Sequence, residues 1–104
     1  MERTFRITMH APLGPRHGTL RFSEQSGSVS GTMTLLGSTA PFAGRLTPDG
    51  GLTLAGELTS GLQSFSYLAH GRLTPEGLEL TVCGGRYSFG ITGEEILSQE
   101  ESNP

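Results

Sequence analysis

Apolar and polar residues alternate in eight successive short segments, near 3–10, 18–23, 28–35, 39–47, 51–58, 63–74, 77–83 and 86–92. In the first, Phe5, Ile7 and Met9 interleave with Thr4, Arg6 and Thr8; in the third, Val29, Met33 and Leu35 interleave with Ser28, Ser30, Thr32 and Thr34. A period of two places successive side chains on opposite faces, so each segment reads as a strand with one buried and one solvated face. That pattern belongs to antiparallel sheets. Short connections favour pairing between sequence neighbours. An open sheet of eight strands would expose two edges, which closure removes. The sequence therefore predicts an all-β fold, an eight-stranded antiparallel up-and-down (meander) barrel over residues 1–93, closed by pairing of 3–10 with 86–92.

An internal repeat points the same way. Gly44-Arg45-Leu46-Thr47-Pro48-Asp49-Gly50 returns as Gly71-Arg72-Leu73-Thr74-Pro75-Glu76-Gly77, and Gly18-Thr19-Leu20 opens a looser third copy. Pro at the second position of Thr-Pro-Asp/Glu-Gly presets φ and Gly suits the fourth, as in a type I turn. The spacing is too short for a propeller blade, and a duplicated hairpin explains it. Gly31, Gly44, Gly56 and Gly71 fall on the apolar parity. They either let the strands coil tightly enough to close a small barrel or leave interior volume for a ligand. The many inward apolar side chains favour a filled interior.

This Gly-rich hairpin rhythm over residues 3–93 resembles the calycin-like barrels, lipocalins and avidins, and small bacterial proteins built in the same way. The resemblance implies the same up-and-down architecture. It does not carry ligand residues. The chain has no Trp, so the Gly-x-Trp start of lipocalins is missing and the Trp members of the avidin cage have no counterparts.

Charge and cysteine content narrow the function classes. All seven basic residues are Arg, which excludes a Walker-type phosphate lysine and a Schiff-base lysine. No basic stripe is interleaved with aromatics, so no nucleic-acid partner is expected. Cys83 is the single cysteine, which rules out an intramolecular disulfide, and no Cys/His spacing suggests structural zinc. Arg3, Arg6, His10, Arg16 and His17 interrupt the N-terminal region, so neither a secretory signal nor a membrane span is read there. A cytoplasmic, bacterial-type protein is expected, with no cofactor and no metal. Residues 94–104 hold Glu94, Glu95, Glu100 and Glu101 and read as an acidic C-terminal tail.

In a meander the connections alternate between the two ends of the barrel. The turns near 24–27, 48–50 and 75–77 share one end. The other collects a longer loop over His10–Gly18, framed by Pro12 and Pro15, with the links near 36–38, 59–62 and 83–86. His10, Arg16, His17 and Arg86 fall at that mouth and are the candidate ligand residues, able to hold a carboxylate or other anion, against the plainer reading of solvated loop residues. His70 is read as a surface residue. Tyr67 and Tyr87 are read as core tyrosines that need partners for their hydroxyls. No nucleophile elbow or inward carboxylate pair is present, so no catalytic residue is assigned. On the otherwise polar outward parity, Ala55, Leu68 and Cys83 form a candidate interface, joined by Ile96 and Leu97 of the tail. Three readings follow: a homo-oligomeric interaction or structural module, a dimer foremost; a carrier of a small apolar or anionic molecule at the mouth; and a barrel isomerase- or cyclase-type enzyme.

Overall fold

A computed structural model describes residues 2–60, 63–85 and 87–96. Eight strands follow in chain order: β1 (Glu2–Ala11), β2 (Gly14–Gln25), β3 (Ser28–Leu35), β4 (Ser38–Leu46), β5 (Gly51–Ser60), β6 (Gln63–Thr74), β7 (Gly77–Gly84) and β8 (Tyr87–Glu95). Each pairs antiparallel with its sequence neighbour, and β8 returns to β1, giving one closed barrel. The closing register runs from Phe5↔Glu95 to His10↔Gly90, as the alternation predicts. None of the described residues forms a helix long and apolar enough to cross a membrane.

The inward parity forms a single core. Phe5, Ile7, Leu20, Phe22, Met33 and Val82 are among its fully buried members, and the Phe5 and Phe22 rings stack with centroids 5.8 Å apart. Large and small residues alternate around the wall. Phe22, Gly31, Phe42, Gly56 and Tyr67 are successive register partners on β2 to β6, so each aromatic side chain has at least one neighbouring position with no Cβ.

These packing relations settle the role of the inward glycines. A Cβ on Gly44 would collide with the Thr53 carbonyl and lie 2.9 Å from Leu54 Cα. Gly31 and Gly71 have the same conflict with the Arg21 and Glu79 carbonyls. These are close approaches of backbone to backbone, where the strands bend sharply enough to close a narrow barrel. At Gly56 the displaced atom would sit 2.9 Å from the Tyr67 hydroxyl, so that space is used by the tyrosine. The glycines serve curvature and fill, not ligand volume.

The repeated turn motif folds in two ways. In the first copy Gly50 N donates to Thr47 O at 3.0 Å and Gly51 N to Thr47 Oγ1 at 2.9 Å, closing a four-residue loop. In the second, Thr74 pairs directly with Gly77. The first copy carries one more glycine, Gly51, before its apolar residue, and that insertion lengthens the loop.

Two boundaries differ from the sequence reading. The loop expected over residues 10–18 is only a Pro12-Leu13 turn, because β1 continues to Ala11 and β2 starts at Gly14. Pro12 presets φ in the turn and Gly14 takes φ +123°. Pro15 is tolerated because β2 has no β3 neighbour until Thr19↔Thr34, an edge position where a missing N–H leaves no ladder bond broken. At the other terminus β8 runs to Glu95, so Glu94 and Glu95, read as tail, are strand residues opposite Arg6 and Phe5.

Candidate functional site

The two ends of the barrel are closed by different chemistry. One end receives the start of β1, the end of β8 and the turns at 26–27, 47–50 and 75–76. There Arg3 donates to Glu95 from Nε at 2.8 Å and from Nη2 at 2.7 Å, a bidentate pair with planar complementarity. The Arg3 guanidinium also lies 5.4 Å from the Phe5 ring centroid. The hydrogen bonds from Arg3 hold the Glu95 carboxyl below its ordinary pKa, and Glu95 in turn raises that of Arg3. Ile96 N donates to Thr4 O at 2.8 Å and extends this seal. The core at this end lies under a charged lid.

Among the described residues, the opposite end presents an apolar hollow. Met9 and Ala11 of β1, Pro12 of the first turn, Leu36 of the β3–β4 turn, Phe65 of β6 and Phe89 of β8 border a cup of about 280 Å³, with Gln63 as its polar member. Phe65 lies over Gly84, where a Cβ would come within 2.9 Å of the ring. Leu36 occupies a backbone position that leucine rarely takes. Its φ is +58° and that of Gly37 is +77°, the left-handed pair of a type I′ turn that favours Asn-Gly or Gly-Gly. A β-carbon there costs about 1–2 kcal/mol, yet the side chain is an apolar one packed at the lip of the cup. Leu13, at the tip of the neighbouring turn, is 90% exposed.

Charge is divided between the ends as well. Among the described residues, Glu57 is the one carboxylate placed in the half of the barrel nearer the cup; Glu2, Glu24, Asp49, Glu76, Glu79, Glu94 and Glu95 lie toward the sealed end. Arg16 pairs in register with Met9, so it shares Met9's inward parity on the part of the β1–β2 hairpin that projects past β3. Its guanidinium is exposed, and Nη1 donates to Pro15 O at 3.3 Å.

Of the four residues expected at the mouth, the three that are described are not gathered in one opening. Arg16 lies beside Met9 at the cup end, outside the residues that border the cup. His10 and His17 lie on the outer wall, because β1 and β2 continue as strands through these positions and keep their alternation. His10 Nε2 is 2.9 Å from Thr92 Oγ1, and His17 Nδ1 is 3.2 Å from Thr8 Oγ1. Arg86 lies outside the described residues. Of the expected interface residues, Ala55, Leu68 and Cys83 fall side by side in register. Ile96 is half-buried at the sealed end, and Leu97 lies outside the described residues.

Tyr67 is the one described group whose buried position shifts its pKa strongly: burial pushes its hydroxyl up to about 12. Among the described residues, Thr4 is the buried polar residue besides it. No group of three or more His, Cys, Asp or Glu among the described residues could hold a metal ion. Alternation alone assigns Met9, Phe65 and Phe89 to the core and passes over Ala11, Pro12 and Leu36. The signal in the sequence for the cup is Leu36-Gly37, a bulky apolar residue in a two-residue turn. Comparison with protein-family models, curated proteins and solved structures gives no match to this chain.

Proposed function

We propose that the protein is a carrier for a small amphiphile, an aliphatic or single-ring body with an anionic end, held at the cup end of the barrel. The observation that carries this reading is the apolar cup, at the end where Glu57 is the one carboxylate among the described residues, with Arg16 in register beside Met9 of its wall. A cavity of about 150 Å³ accommodates benzene, so about 280 Å³ suits a body of about ten carbons on that scale. The filled interior keeps such a ligand shallow. Burying about five methylenes at ~0.8 kcal/mol each gives ~4 kcal/mol, a Kd of about 1 mM. An exposed ion pair with Arg16 adds up to about 1 kcal/mol. The barrel-enzyme reading has less support, since among the described residues the one strongly shifted interior group, Tyr67, is held neutral by desolvation alone.

The test is a titration with octanoate followed by NMR of the methyl groups. Met9, Ala11 and Leu36 should shift together, with octylamine weaker by about fivefold and the preference lost in Arg16→Gln. Shifts spread over the outer wall, or centred on the Arg3–Glu95 end, would refute the reading.

A further inference from the structure

The outward face carries one row that is not polar. Ala43, Ala55, Leu68 and Cys83 are direct register neighbours on β4, β5, β6 and β7, and Leu68 keeps 68% of its surface exposed. Apolar residues scattered singly over a surface need no explanation, but a contiguous set does. Ala55, Leu68 and Cys83 border a shallow hollow formed with Gly56, Ser66 and Gly84.

Charges flank the row on opposite sides. Arg45 lies two residues beyond Ala43, beside Thr53, and Glu57 lies two residues beyond Ala55, beside Ser66. The neighbouring strands run antiparallel, so these two positions fall on opposite flanks, one strand apart. Both side chains are exposed, and neither makes a hydrogen bond or ion pair with a described residue.

We propose that this row is the interface of a homodimer whose two-fold axis runs along it. Rotation about that axis exchanges the flanks, so Arg45 of one copy meets Glu57 of its partner, and the contact occurs twice by symmetry. Because the wall of the closed barrel curves, the contact centres on Ala55 and Leu68, with Ala43 and Cys83 at its margins. Rotation about the strand direction would instead set Arg45 against Thr81 and leave both charges without partners. The small side chains of Ala43, Ala55 and Cys83 let the faces approach. Packed sheets lie about 10 Å apart, a distance that an arginine and a glutamate reaching toward each other can span. The occupant this surface fits is therefore a second copy of the chain.

The experiment is sedimentation of the full chain at high micromolar concentration, comparing wild type, Leu68→Glu, Arg45→Glu, Glu57→Arg and the double charge swap. Wild type should be a dimer and Leu68→Glu a monomer. Each single charge variant should weaken association about tenfold or more through like-charge contacts, and the double swap should restore it to within about threefold. Far-UV circular dichroism and melting confirm that each variant keeps the barrel. Cross-linking at Cys83 by a short bis-maleimide should join two wild-type chains and fail in Leu68→Glu. A monomeric wild type, a dimer indifferent to Leu68→Glu, a double swap no better than the single variants, or no Cys83 cross-link would each overturn the proposal.

Discussion

Replacing Leu36 separates two contributions that the structure sets against each other. Its φ of +58° carries a steric cost of about 1–2 kcal/mol for an L-residue with a full side chain, a cost that asparagine bears more easily through its local hydrogen bonding. Its side chain is half-buried against the core, so removing it forfeits about 1 kcal/mol, roughly half of a fully buried leucine. In Leu36→Asn these terms oppose, and stability should change by less than about 1 kcal/mol. In Leu36→Ala the packing is forfeited while the strain remains. The alanine variant should therefore melt below the asparagine variant, by about 4–8 °C for ~1 kcal/mol in a domain of this size. Both remove one wall of the cup and should weaken octanoate binding by about fourfold for each ligand methylene left in water. Thermal melting and the NMR titration read the two effects separately. An asparagine variant that melts below the alanine variant would refute the strain argument. Unchanged octanoate affinity in both would refute the role of Leu36 as a wall.

Three further outcomes follow from the same structure. Gly44→Ala forces a Cβ onto the Thr53 carbonyl and should cost about 1–3 kcal/mol or more, whereas Gly90→Ala, whose Cβ would meet only Leu80 O at 3.9 Å, should be neutral; thermal melting compares them. Glu95 has its pKa lowered by Arg3, so its contribution is present above the unfolded value of 4.5 and is lost as pH falls through the folded one. Arg3→Gln should cost about 1 kcal/mol near neutrality, and its melting curve should converge on wild type under strongly acid conditions. Tyr67 shows the opposite sign: its raised pKa gives stability that is complete below pH 10.0 and is lost as pH rises toward about 12. Alkaline unfolding of Tyr67→Phe, followed by circular dichroism, should therefore begin at higher pH than in wild type.

The fold was legible because burial on one face imposes a period of two that turn residues cannot hide. Phe5-Arg6-Ile7-Thr8-Met9 states its inner and outer faces without reference to any partner. The β1–β2 turn was less legible because Pro12, Gly14 and Pro15 read as breakers; only the absence of a β3 neighbour makes Pro15 acceptable in a strand. That misplacement moved His10 and His17 from the wall to the mouth, since a side chain's face depends on the strand continuing through its position. The outward row of Ala55, Leu68 and Cys83 was visible as an exception to parity, and the direct register between them follows from the hairpin geometry. The cup was hidden for a different reason. Met9, Phe65 and Phe89 have the parity of core residues, and which core residues reach the rim depends on strand stagger, which alternation does not encode.

An apolar site at one end and a seal at the other are what give this barrel a direction. Xenon occupies apolar cavities without any polar contact, so a crystal structure under xenon pressure distinguishes the two ends without reference to the ligand's charge. Xenon density should appear in the cup between Met9, Leu36, Phe65 and Phe89, with none beneath the Arg3–Glu95 pair. Density at the sealed end, or a cup that takes up no xenon, would contradict the division.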